Sequence, residues 1–175
     1  LIFVHDTRDQ AGKHKNVEEY LLSRGHEIVR TKLYVGDISL LHNQSVCIDL
    51  KGLGMKEVYS NLVQQHDRFK AEAIRARDAH IKLVILVEND GIKTLDDVIE
   101  WQNPRAIQYA ELAMAHAHGK LLQKKLPSRP PVSSKRLMNM MRVMALKYGI
   151  EWQFCTKAEA GMRVEQILIG GGENG

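Results

Sequence analysis

Gly36-Asp37 is followed, twelve positions after the aspartate, by Asp49-Leu50-Lys51, and two carboxylates with one ammonium are suited to nuclease chemistry. The string is VGDISLLHNQSVCIDLKG. Residues 35–41 are rich in β-branched and apolar types, His42-Asn43-Gln44-Ser45 is a polar turn, and residues 46–50 are apolar again, which predicts two strands joined by a hairpin. Successive side chains on a strand alternate faces, so Asp49 and Lys51 share one face while Ile48 and Leu50 take the other. Asp37 can swing in from the end of the preceding strand. Mg²⁺ prefers hard oxygen ligands and keeps several waters, so two carboxylates and a substrate phosphate suffice to hold it. Such an ion acidifies water and neutralises charge developing on a phosphorane, and the lysine can orient that water. The spacing D-x(11)-D-x-K is also common, and an exposed Asp49–Lys51 ion pair of little energetic worth would produce it equally well.

The flanking residues narrow the choice. Residues 2–51 carry VHDTRD, KHKNVEEYLLSRGHEIV, KLYVGDISL and VCIDLKG, and this series resembles the XPF-type nuclease domain (XPF/Mus/Hef-like) of the PD-(D/E)xK superfamily. In that family a first strand ends in D-x-R-E, and later strands carry G-D and E-R-K-x-x-x-D. Asp6, Arg8 and Asp9 match the first element, Gly36 and Asp37 the second, and Asp49 and Lys51 the third. HDRFKAEAIRA, KLVILVE and IEWQFCTKAEAGMRVEQIL extend the resemblance over most of the chain. Leu50 stands where the family has arginine, Met55 where it has a final acid, and Glu57 offers the nearest carboxylate.

The resemblance implies an α/β fold, a mixed central sheet flanked by helices as in restriction endonucleases, with a helical insertion before the last strand. It implies a Mg²⁺- or Mn²⁺-dependent endonuclease for branched or flapped DNA, of the kind used in repair or recombination. Asp37, Asp49 and Asp9 would hold the metal, Lys51 would orient the water, and Asp6 and Arg8 would support them. A non-catalytic DNA-binding copy of the same fold is the alternative. A homodimer through the last helices would use Met162, Val164, Ile167 and Leu168.

Length and composition suit one domain across residues 1–175. The chain is 44% hydrophobic and 26% charged, enough to bury a sizeable core. No apolar run is long enough to span a membrane, no signal peptide opens the chain, and Cys47 and Cys155, both on expected buried strands, suit a reducing compartment, so an intracellular, cytoplasmic or nucleoid-associated location is expected, and zinc is not, since neither cysteine has a partner at metal-binding spacing. The start at Leu1 and the terminal GGGENG suit an excised piece, with residues 170–175 a flexible tail. No helix-hairpin-helix module is expected after Leu168, which would fit a standalone nuclease of a phage or mobile element.

Periodicity orders the elements that must hold the site. Strands are expected at residues 1–5, 28–33, 82–88 and 150–155, besides the hairpin. LVILV within the third has the unbroken apolar character of a strand covered on both faces. Helices are expected from Asn16 to Gly25, with Val17, Tyr20, Leu21 and Leu22 inward, at 57–79, with Val58, Leu62, Phe69 and Ala73 inward, and at 158–168. The insertion, about residues 90–134, should hold helices at 95–101 and 107–126. The stiff break PSRPP then precedes a helix from Ser134 to Tyr148, ended by Gly149.

Charge is distributed unevenly. The net charge is only +4, yet no acid occurs between Leu112 and Ile150, a span that carries Lys120, Lys124, Lys125, Arg129, Lys135, Arg136, Arg142 and Lys147. A one-signed stretch suits a polyphosphate such as DNA, although cations on solvated helices give the same count. Lys13, His14 and Lys15, with Arg8, form a second cationic cluster that could hold a phosphate. His116 and His118, two apart on a helix, diverge too far to chelate one metal. His66 is expected exposed, His5 turned away from Asp6, and Met138, Met140, Met141 and Met144 fill core or interface.

Overall fold

The computed structural model describes residues 1–119 and 125–170. Six strands form one mixed sheet: β1 (Ile2–Asp6), β2 (Glu27–Thr31), β3 (Ile38–Leu40), β4 (Asn43–Lys51), β5 (Lys82–Glu88) and β6 (Glu151–Cys155). Their order is β2-β1-β3-β4-β5-β6. The β3–β4 hairpin is antiparallel and β3 runs antiparallel to β1, whereas β1 pairs β2, β4 pairs β5 and β5 pairs β6 in parallel.

Alternation along the central strands separates two cores. Ile48 and Leu50 of β4 join Val84 and Leu86 of β5 under α1 (Lys15–Ser23) and α6 (Ala160–Gly170), with Val17, Leu21, Val164 and Leu168. Cys47 of β4 and Leu83, Ile85 and Val87 of β5 face the other way, against α2 (Met55–Tyr59), α3 (His66–Asp78) and α5 (Ser134–Tyr148). The LVILV run is thus covered on both faces, as such a sequence requires.

Val164 and Leu168 are spent on this core. The apolar face expected to serve dimerisation is therefore mostly internal, leaving Met162 exposed and Ile167 partly buried. Leu22, expected inward, is exposed, because the α1 face that meets α6 and the sheet is set by Val17, Tyr20 and Leu21.

The helix expected over 57–79 is broken. Between α2 and α3 lies a π turn, Ser60–Gln64, closed by the Gln65 N–H to Ser60 O at 2.9 Å. The wider turn keeps Leu62 in the core while Ser60 and Asn61 line a cavity. The stretch expected helical at 95–101 is a single 3₁₀ turn, Asp96–Glu100. Trp101 is already extended after it, and so is Asn103, as suits a residue before proline. The next helix, α4 (Pro104–Ala117), begins three residues earlier than expected, with Pro104 in its first turn and the Asn103 side chain accepting from the Arg105 N–H. Residues 120–124, with Lys120 and Lys124, and residues 171–175 of the expected tail lie outside the described residues.

Candidate active site

Site residues gather where β1 and β4 end and β3 begins. Asp49 and Lys51 project together from β4, with Lys51 Nζ 2.6 Å from Asp49 Oδ1 and both side chains nearly shut from solvent. Their neighbour Leu50 is fully buried on the opposite face. Asp37 enters from the turn before β3: its Oδ2 accepts the Leu50 N–H at 2.8 Å, and its own N–H donates to Ile48 O at 2.8 Å. Gly36 makes that approach possible. Its φ is +72°, and a Cβ there would lie 3.0 Å from Ile48 O, so a side chain would be strained twice over. The Glu72 carboxylate of α3 accepts the Gly36 N–H at 3.0 Å and fixes the turn from above.

Burial, and then the Asp49 charge, push the Asp37 carboxyl well above the ordinary range, against the opposing pull of Lys51 and the Leu50 N–H. Burial alone would disfavour the Lys51 ammonium, but Asp49, with Asp37 and Glu57 beyond it, raises its pKa above the usual lysine value. Lys51 is therefore a fixed cation at neutral pH, able to donate hydrogen bonds but not to take a proton. Asp37 has a like charge beside it and too little positive charge to balance both.

Asp6 has a different position from Asp37 and Asp49. Its Oδ1 accepts from the Arg8 N–H at 2.6 Å and Arg8 Nε at 2.9 Å, and its Oδ2 from Arg8 Nη2 and the Leu33 N–H, each at 2.7 Å. Four bonds use the lone pairs of a carboxylate, so Asp6 holds Arg8 rather than a metal. Burial acts to raise the Asp6 pKa, but these donors outweigh it and leave it below the usual value. Asp9 Oδ2 accepts from His5 Nε2 at 3.0 Å, while its Oδ1 lies 3.6 Å from Lys13 Nζ.

The cationic cluster expected at 13–15 does not form. Lys13 joins Glu57 at 3.1 Å on the cavity wall, His14 is wholly buried, and Lys15 pairs with Glu19 on the outer face of α1, where it is 73% exposed. His14 is the residue on which α1 starts, so its side chain turns inward as the backbone enters the helix. Met55 is buried in the core, and Glu57, the nearest acid after Lys51, lines the cavity. His66 is exposed, and His5 turns to Glu18 and Asp9 rather than to Asp6.

One cavity unites these groups, lined by Asp9, Asp37, Asp49, Lys51 and Glu57, with Arg8 and Lys13 at its side. Gln65, Arg68, Glu72 and Arg75 also line it, a stripe that sequence reading passed over. Its signal was present: the spacing of three, four and three puts a polar ridge on one side of α3 beside the apolar ridge of Phe69, Ala73 and Ala76. Among the described residues, no three or more His, Cys, Asp or Glu side chains form a metal cage. Magnesium does not require one, and the Asp37–Asp49 pair, whose two carboxylates share the single Lys51 cation, has the donor type and the charge that suit such an ion. Among the described cations of the acid-free span, Lys125, Arg129, Lys135, Arg136, Arg142 and Lys147 are exposed, and Arg142 is paired to Asp96 at 2.6 Å.

The six-stranded mixed sheet flanked by helices is an α/β fold of XPF type. It is similar to the solved structure of XPF from Aeropyrum pernix, with a TM-score of 0.63 and 16% identity over 99% of this chain and 66% of that one. It is likewise similar to XPF from Aeropyrum pernix in complex with DNA, with a TM-score of 0.60 and 16% identity over 98% of this chain and 65% of that one. The chain thus spans somewhat less than two thirds of the structures it matches. No family model matches the sequence, and no curated protein matches it.

Proposed function

We propose that the protein is a Mg²⁺- or Mn²⁺-dependent DNA endonuclease acting on branched or flapped DNA. The observation that carries this reading is the convergence of Asp37, Asp49 and Lys51 in one cavity, with the Asp37 carboxyl raised by burial and by Asp49. Asp37 and Asp49 would hold the ion, with Asp9 at the edge of the same cavity, and the ion would supply an acidified water and charge neutralisation. Lys51, kept cationic by Asp49, would donate to the attacking water or to a phosphate oxygen and steady negative charge as it grows. Arg8, stiffened by Asp6, and Lys13, Arg68 and Arg75 line the cavity wall and would bind the phosphates flanking the scissile bond. The DNA-bound neighbour among the similar structures supports nucleic acid as the partner.

Labelled flap, fork and four-way-junction DNA incubated with Mg²⁺ should be cut by the protein, and Asp49→Ala should lower cutting by at least two orders of magnitude. Equal cutting by both would sink the assignment. A second reading, a non-catalytic DNA-binding copy of the fold, is favoured by Leu50 and Met55 lying in the core rather than in the site. Calorimetric titration with Mn²⁺ separates the two, since a working acid pair takes up the ion and a decayed one does not.

A further inference from the structure

The His14 imidazole is fully buried, yet neither ring nitrogen has a hydrogen-bond partner. Nε2 stands 3.5 Å from Asp9 Oδ2 and Nδ1 stands 3.9 Å from Glu88 Oε1, itself a buried oxygen without a partner. On the far side of Asp9, the same Oδ2 takes a 3.0 Å bond from His5 Nε2, and His5 Nδ1 lies 2.6 Å from Glu18. Carboxylates and imidazoles therefore alternate in the order Glu18, His5, Asp9, His14, Glu88, tight at one end and open at the other. The row ties α1 to the ends of β1 and β5. Gly52, just after Lys51, belongs to the same arrangement: a Cβ there would meet His14 Cε1 at 3.1 Å, so the ring's place depends on a glycine.

Leaving a buried polar group without a partner is unfavourable, because it has given up water and gained nothing in return. A water linking two groups holds them about 4.5 Å apart at normal bond lengths, so the 3.5 Å gap between Nε2 and Asp9 is too short for a bridge. Direct closure by about half an ångström is what remains for Nε2, and hydrogen bonds around reacting groups are often long before the site is loaded.

We infer that His14 is a positioning residue for the cavity: on loading, its Nε2 closes onto Asp9 Oδ2 and, with His5, fixes the Asp9 carboxylate at the cavity wall, where it would help to hold a cation. This rests on the nuclease reading. His14 touches neither DNA nor metal; it acts through Asp9, and Glu88 orients its ring from behind, as groups outside a metal's ligands commonly do.

The test compares His14→Leu, which keeps bulk without a donor, His14→Gln, whose amide nitrogen reaches near the Nε2 position, Asp9→Asn, and the double variant His14→Leu with Asp9→Asn. Mn²⁺ affinity is measured by calorimetry without DNA, beside kcat and KM on flap DNA with Mg²⁺. His14→Leu should weaken Mn²⁺ binding and lower kcat by about 10–100-fold with little change in KM, the scale known for groups behind metal ligands. His14→Gln should recover most of the loss. The double variant should be no worse than Asp9→Asn, because both act through one carboxylate. Mn²⁺ affinity unchanged in His14→Leu, or effects of His14→Leu and Asp9→Asn that multiply, would overturn the inference alone. Wild-type protein that neither binds Mn²⁺ nor cuts DNA would overturn the nuclease reading and this inference with it. If His14→Leu does not fold, the same comparison is made with His14→Gln, expected near wild type, and His14→Asn, whose shorter amide cannot reach Asp9 and should show the loss.

Discussion

At the scale of single residues, the site holds charge that the bare fold does not welcome. Asp37 is raised because it is buried and because Asp49 stands beside it. The sign of the pH dependence follows. A carboxyl whose folded pKa exceeds its ordinary 3.8 contributes stability that is fully present below that value and lost as pH rises through the raised one. Ionising Asp37 therefore costs the metal-free protein stability. Asp37→Asn keeps an oxygen for the Leu50 N–H and removes the charge. Its metal-free Tm at pH 8 should exceed wild type by roughly 2–4 °C, about 1 kcal/mol for a chain of this size, with no gain at pH 3. Added Mn²⁺ should raise the wild-type Tm and leave the variant unmoved. A variant melting below wild type at pH 8 would remove the case for a strained acid pair and leave Asp37 as an ordinary structural carboxylate.

At the scale of elements, the fold is held by two helix layers whose contacts differ in how openly the sequence declares them. The strands could be read because β-branched runs and alternation act over a few residues: Asp49 and Lys51 share a face, and Leu83 to Val87 divide between two cores. The π turn could not be read, since nothing local in SNLVQ requires an i to i+5 bond; it arises where Leu62 must reach the core while Ser60 and Asn61 face the cavity. His14 was equally hidden. Between two lysines it reads as part of a basic patch, and only packing against Gly52 reveals it as buried. That Asp37, Asp49 and Lys51 meet was legible from type and spacing and the place of Asp9 from the resemblance, whereas Arg68, Glu72 and Arg75 needed the helix to be set against the sheet. Gly161 shows the same dependence. A Cβ on it would lie 2.3 Å from Tyr20 Cβ, so α1 and α6 approach at a point where no side chain fits. Gly161→Ala should destabilise by roughly 1–3 kcal/mol despite alanine's better helix propensity, because the overpacked contact must open. Urea denaturation measures it, and an unchanged or higher midpoint would show that α6 can shift at little cost.

At the scale of the whole molecule, the proposed function requires a polyanion to approach a cavity that is itself rich in acids. The rim cations Arg8 and Lys13 are partly neutralised by Asp6 and Glu57, so long-range attraction has to come from elsewhere. On that reading the acid-free span would supply it, and described residues of that span are joined to the site. Ser134 at the start of α5 donates to Trp101 O at 2.6 Å, and Tyr59, just before the π turn, accepts the Val132 N–H at 3.2 Å. Arg105 of α4 lies over the Tyr59 ring at 5.5 Å. The first turn of α5, with Lys135 and Arg136 exposed, is thereby anchored to the segment that lines the cavity. Arg142, two turns further on, is occupied by Asp96. These cations should therefore not be equivalent. Each phosphate contact contributes about 0.9 to the slope of log K against log salt on duplex DNA. Lys135→Ala with Arg136→Ala should weaken binding several-fold at moderate salt and reduce that slope by roughly 1–2, with similar loss on every DNA structure, because phosphate contacts carry no sequence information. Arg142→Ala should leave the slope nearly unchanged. Fluorescence anisotropy across a salt series, with Ca²⁺ in place of Mg²⁺ to prevent cutting, reads both. If Arg142→Ala lowers the slope as much as the double variant, DNA approaches along the length of α5 rather than over its anchored first turn.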